Sequence, residues 1–123
     1  MGRQAGGSPA PSLPLDAATM ARWGIVHHPD TGRLSLSPAL NEGAQDAAVG
    51  PFRAGRTVVA LLLRRTPSAV LLRITVSFGP PIRVEARLAD PEWDVAAVVD
   101  DIPLGRPQVA FEASGTHEII WRH

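Results

Sequence analysis

The chain ends in GTHEIIWRH, where His117, Glu118 and His123 bring together the residue types of a hydrolytic zinc site. Such a site needs two histidines one helical turn apart, with a glutamate between them as general base. His117 and His123 are six residues apart. On a strand that spacing separates them by roughly 20 Å, and on a helix it turns them about 120° around the axis, so one ion cannot hold both. His27-His28 fails for a related reason. Neighbours on a strand point to opposite faces, and further ligands, for instance His117, would have to come from an adjoining strand. A hydrogen bond from one of the pair to Asp30 is the simpler use. Neither a metal nor a cofactor is expected.

The segments QVAFEA and THEIIWR, separated by Ser114-Gly115, read as a hairpin over about 108–122. Two registers are open. A three-residue turn joins Phe111 to Ile119 and Val109 to Trp121, and it sets Glu112 opposite Glu118. Two carboxylates about 5 Å apart would raise one pKa and make an acid/base pair. A two-residue turn at Ser114-Gly115 sets Glu112 against His117 instead. Glu112, Glu118 and His117 are therefore the candidate catalytic residues, although their segment alternates His117-Ile119-Trp121 against Glu118-Ile120-Arg122 as any terminal strand does.

Other chemistries lack their residues. There is no cysteine, hence no thiol nucleophile, thiolate ligand or disulfide. No serine lies in a G-x-S-x-G setting, and neither phosphate-binding glycine pattern occurs. Asp100-Asp101 has no companion carboxylates at calcium-loop spacing, so a helix end or turn accounts for it. Arg73, Arg83 and Arg87 surround Glu85 in the register derived below, which makes a self-neutralised solvated face. Aromatic side chains are not interleaved with these arginines, so the stacking platform of a single-strand nucleic-acid binder is missing.

The elements that would position these residues are mostly strands. RTVVALLLRR, VLLRITVSF and IRVEARLA are punctuated by Thr66-Pro67-Ser68-Ala69 and Gly79-Pro80-Pro81, which predicts an antiparallel meander over about 56–89. Placing Arg65 opposite Val70 aligns Leu63, Leu61 and Val59 with Leu72, Ile74 and Val76, and the next turn aligns Val76, Ile74 and Leu72 with Val84, Ala86 and Leu88. One face is then wholly apolar. The other runs from Val58, Ala60 and Leu62 to Arg83, Glu85 and Arg87. A strand apolar on both faces is normally sandwiched, so Val58, Ala60 and Leu62 form the candidate interface.

Around this centre, Asp16 followed by AATMARW and Gly24 predicts a short capped helix. IVHHPDTGRLSLS predicts a hairpin turning at Pro29-Asp30-Thr31-Gly32. Residues 38–55 read as loop, with a helical segment near Glu42 to Val49. In ADPEWDVAAVVDDIP, Asp90, Pro91 and Glu92 form a helix-start signature, set against the β-branched Val95, Val98 and Val99; helix is the favoured reading and strand the alternative.

With 123 residues and twelve acidic against twelve basic side chains, there is one domain (15–123) behind a Gly/Pro/Ser-rich tail (1–14) expected to be disordered. The balanced charge provides no global attraction to nucleic acid or anionic lipid. No apolar run reaches the roughly 18 residues of a membrane span, and the opening segment lacks a signal-peptide core. All the basic residues are arginine, a composition read as that of a GC-rich bacterium, and the expected compartment is the cytoplasm.

The expected fold is α+β or mostly β: the meander, the C-terminal hairpin and one or two short helices, with a sandwich or barrel as its closed forms. Two functions stay open. One is a non-catalytic interaction or assembly module, self-associating or meeting a protein partner through Val58, Ala60 and Leu62. The other is a cup for a small apolar ligand near Trp23, Trp93 and Trp121, serving as a binder or as a cyclase- or isomerase-type enzyme with a Glu/His handle.

Overall fold

In the computed structural model, residues 12–13, 17–39 and 46–122 are described, the first two as backbone only. The alternation that predicted strands does produce them, and the protein is mostly β; the described residues form one short helix and two largely antiparallel sheets that do not close into a barrel.

The strands are β1 (Ser12–Leu13), β2 (Val26–His28), β3 (Arg33–Leu36), β4 (Asp46–Ala54), β5 (Thr57–Arg65) and β6 (Ala69–Phe78), then β7 (Ile82–Ala86), β8 (Ala97–Val99), β9 (Ile102–Pro103), β10 (Val109–Ala113) and β11 (Gly115–Arg122). The larger sheet runs β1-β4-β5-β6-β11-β8-β9 and the smaller β10-β7-β3-β2. Leu61, Leu72, Ile74, Ile119 and Trp121 of the larger sheet and Leu34, Val84 and Val109 of the smaller belong to a single buried core.

The β5–β6 hairpin has the register derived from its alternation, with Arg65 opposite Val70, Leu63 opposite Leu72, Leu61 opposite Ile74 and Val59 opposite Val76. The third strand departs from the meander. β7 crosses to the smaller sheet, where it runs parallel to β3, with Leu34 opposite Val84, and antiparallel to β10. Pro80 and Pro81 have no N–H to donate and fixed φ, so the chain after Gly79 cannot close a tight hairpin ladder onto β6. The edge of β6 is taken instead by β11, from Gly115 opposite Val76 to Arg122 opposite Ala69.

β10 and β11 likewise lie in different sheets, so neither register weighed for a 108–122 hairpin occurs. Ser114 alone separates the two strands. One residue is too short for the usual hairpin loops, and the chain turns a corner from layer to layer.

The α1 helix (Ala17–Trp23) lies where the sequence placed it, burying Thr19 and Trp23, while its expected cap Asp16 lies outside the described residues. The carbonyls of Trp23 and Arg22 accept the N–H groups of Ser37 (3.0 Å) and Ala39 (2.9 Å). The segment after β3 thus satisfies carbonyls that a helix end leaves open. The loop between β2 and β3 spans the expected residues 29–32.

Two local readings are corrected. Residues 46–54 form β4, not loop or helix, while 40–45 lie outside the described residues. The alternation was masked by a register shift between Val49 and Phe52 around Gly50-Pro51, whose peptide bond is cis; a bulge is one of the few sheet positions that accept a proline. The helix signature at Asp90 yields only a 3-10 turn, Pro91–Trp93, without a side-chain cap bond, and β8 follows. There Ala97 and Val99 are buried around a half-buried Val98, so period-two burial prevails over the capping signal. Of the tail expected over 1–14, only Ser12–Leu13 is described, as β1 parallel to β4.

Candidate functional site

The candidate polar residues are dispersed by the layer change. Glu112 lies opposite Arg83 and Glu118 opposite Arg73, so the two glutamates do not form a carboxylate pair. Glu118 and Arg73 make an ion pair, with Arg73 Nη2 2.7 Å and Nε 2.8 Å from Glu118 Oε2. Arg83 is on β7 of the smaller sheet and Arg87 follows its end; Glu85 approaches both Arg33 and Arg83 at 3.6 Å, and Arg87 approaches Asp94 at 3.8 Å. The neutralised face expected around Glu85 is present there without Arg73.

His117 has partners that the sequence did not suggest. Its Nδ1 is 2.7 Å from Asp100 Oδ2, and its Nε2 is 3.1 Å from the Ser114 nitrogen and 2.9 Å from the Ser114 oxygen. A neutral ring donates from Nδ1 to the carboxylate and accepts the Ser114 N–H at Nε2. A protonated ring donates through both nitrogens, the second to the Ser114 carbonyl. Either form clasps the corner between β10 and β11 to the β8–β9 turn. To act as a base on an external substrate, Nε2 would first have to release Ser114.

Asp100 is the other half of the clasp. Asp100 and Asp101 form the two-residue turn between Val99 and Ile102, with φ of 48° and 70°. This left-handed pair suits the twist of a tight hairpin, and aspartate tolerates it better than most residues. Asp100 Oδ1 accepts the Glu118 N–H at 2.9 Å. Partial burial pushes its pKa up, but the hydrogen bonds from Glu118 and His117 and the imidazolium charge outweigh that effect and hold it below the usual carboxylate value. The corresponding stability is present above the unfolded-state pKa and is lost as pH falls through the lower folded-state value. Asp100→Asn keeps the backbone preference and removes the charge. Its deficit relative to the parent, small because the carboxylate is 42% exposed, is expected at neutral pH and should vanish in acid, as measured by urea midpoints across pH.

A cleft of about 290 Å3 opens beside this clasp, lined by Val99, Ile102, Leu104 and Phe111 together with Asp100, Glu112 and His117. Phe111 and His117 stand ring to ring, with centroids 4.9 Å apart. Trp23, Trp93 and Trp121 are buried and do not line it. A second cleft, about 280 Å3, is lined by His27, Arg56, Pro80 and neighbouring turn residues. His28 Nε2 is 3.3 Å from Ser35 Oγ, the contact it makes in place of the expected one to Asp30. Among the described residues, no three histidine or acidic side chains gather as a metal-binding set, and no helix is long and apolar enough to cross a membrane.

The sequence carried one overlooked signal for this region. Asp100-Asp101 between Val99 and Ile102 is a two-residue polar break between apolar residues, the mark of a hairpin turn, and it was overshadowed by the helix-start signature upstream.

The fold thus defines an open two-sheet β protein with a half-enclosed apolar cleft at one edge. The chain matches no protein-family model, no curated protein and no solved structure.

Proposed function

We propose that the protein is a non-catalytic assembly module of the bacterial cytoplasm that self-associates through the outer face of the larger sheet. The observation that carries this reading is β5. Its inward residues Val59, Leu61 and Leu63 are buried in the core, yet Val58, Ala60 and Leu62 on its other face are aliphatic as well and half-buried. By strand alternation the same face continues through Leu71, Ile120 and Val98, all half-buried.

A second copy of the chain suits this face. The Arg73–Glu118 pair lies within it, Arg73 directly opposite Leu62. An isologous contact brings each residue against its symmetry counterpart's neighbours, so two such pairs can exchange partners across the axis without leaving a charge uncompensated. Five strands at about 4.8 Å spacing and about eight residues of strand give a face on the order of 600 Å2 per copy, and the two together clear the roughly 1,000 Å2 of a specific interface. The absence of cysteine suits a reducing compartment.

Leu62→Arg adds a charge where the side chain is only half-buried, so the fold is expected to survive. Sedimentation at high micromolar concentration should give a multiple of the chain mass for the parent and a monomer for the variant. A strictly monomeric parent at that concentration would remove the proposal.

A further inference from the structure

The two layers are unequal. Among the described residues the larger sheet has seven strands and the smaller four. The smaller sheet ends at β10, whereas the larger continues past β11 through β8 and β9. The 290 Å3 cleft lies where β10 meets this overhang, with Val99, Ile102 and Leu104 on one side and Val109 to Glu112 on the other. Ile102 pairs with the inward Val99 and yet is 64% exposed. An apolar overhang of this kind normally has a layer packed against it.

Among the described residues β10 is also an unprotected edge. Among the described residues it pairs only with β7, so alternate N–H and C=O groups along its other side have no ladder partner. Two other edges among the described residues are blunted or short: β9 has two residues and includes Pro103, and β2 has three. Short length, proline and charge are the usual protections of an edge. β10, Val109–Ala113, has five residues, no proline and Glu112 as its one charge.

From the overhang, the open edge and the cleft between them, we infer that β10 accepts an extended peptide segment of a partner protein, apolar at alternate positions and basic between them. The segment adds a fifth strand to the smaller sheet. Its main chain completes the ladder of β10, and its apolar side chains fill the cleft against Ile102, Leu104 and Phe111. The basic residues follow from charge. Among the described residues, Asp100 and Glu112 are the charged lining residues, both acidic, and no arginine lines the cleft; Arg83, across from Glu112 on β7, is already paired with Glu85. The corner residue Ser114 and the clasped His117 bound one end of the slot. At the other, Trp121 Nε1 holds the Pro107 oxygen at 2.9 Å and Ala97 N holds the Arg106 oxygen at 2.9 Å.

This site is separate from the outer face proposed for self-association, and the Leu62→Arg variant leaves it intact, so the two can fail independently. The test uses the full chain and a synthetic heptapeptide of alternating valine and lysine, followed by amide exchange and NMR shifts. Slowed exchange at Val109–Ala113, with shifts at Ile102 and Leu104, is expected. Glutamate in place of lysine in the peptide, or Ile102→Lys in the protein, should each weaken binding about tenfold or more. Ile102 is mostly exposed, so that variant should stay folded, as the unchanged remainder of its spectrum would show. The proposal is overturned if shifts at the cleft side chains come without protection of β10, the signature of a small-molecule pocket. Protection of β10 that rises with protein concentration and no peptide would assign the edge to a second copy and overturn it equally, as would equal affinity for both peptides.

Discussion

Gly79→Ala is expected to destabilise the protein by about 3 kcal/mol or more, whereas Gly32→Ala should cost about 1 kcal/mol. Both glycines have positive φ, 96° and 62°, so backbone preference alone does not separate them. The surroundings do. A Cβ on Gly79 would overlap the Arg56 carbonyl oxygen and come within 2.8 Å of Thr57 Cα, while a Cβ on Gly32 would meet nothing within 4 Å. The obstructing atoms at Gly79 are main chain and cannot rotate away, and Thr57 beside them is buried, its hydroxyl donating to the Pro80 oxygen at 2.7 Å. Gly79 is where the chain leaves one sheet for the other, so relieving the overlap means moving the crossing. Paired urea titrations check this, and equal losses for the two variants would contradict the account.

Trp121 carries the second large effect. Its side chain is 0% exposed, its strand lies between β6 and β8, and its indole N–H holds the Pro107 oxygen at 2.9 Å. Trp121→Ala removes a large buried ring and is expected to cost roughly 3–5 kcal/mol. That is a large share of the stability of a domain this size, and loss of a cooperative thermal transition is the expected readout. Trp121→Phe keeps most of the apolar volume and gives up the hydrogen bond. It should cost less, and about 1–3 kcal/mol of the loss should come from the Pro107 carbonyl left without its donor. Faster amide exchange in residues 104–108, the loop that this bond fastens, would separate the bond from the packing.

The contrast between Gly79 and the strands around it shows what the sequence conveyed. Alternation reports which face a residue occupies, and Val59, Leu61, Leu63, Leu72, Ile74, Val84 and Ala86 are all buried on the inner faces as expected. It is silent on which sheet a strand joins, because an inward face looks the same from either layer. The β5–β6 register was legible because Thr66-Pro67-Ser68 closes a local turn. The placements of β7 and β11 were not, since they depend on partners far along the chain. The candidate site suffered accordingly: Glu112 and Glu118 were compared across a hairpin that the corner at Ser114 replaces, and Asp100, the true partner of His117, is 17 residues away. β4 was hidden for a different reason, the bulge at Gly50-Pro51 breaking the period that would have revealed it.

The two changes of layer bear on how the chain reaches its native state. β11, the last strand in sequence, is inserted between β6 and β8, with Glu118 set against Arg73 45 residues earlier, and β3 must find β7 across a similar span. Little of the larger sheet beyond the β4–β5–β6 run can form from neighbours alone. Loop-closure entropy therefore comes before the reward of pairing, which places the protein among slow, topology-limited folders, and until β11 arrives the apolar flank of β6 stands open to any strand that reaches it first.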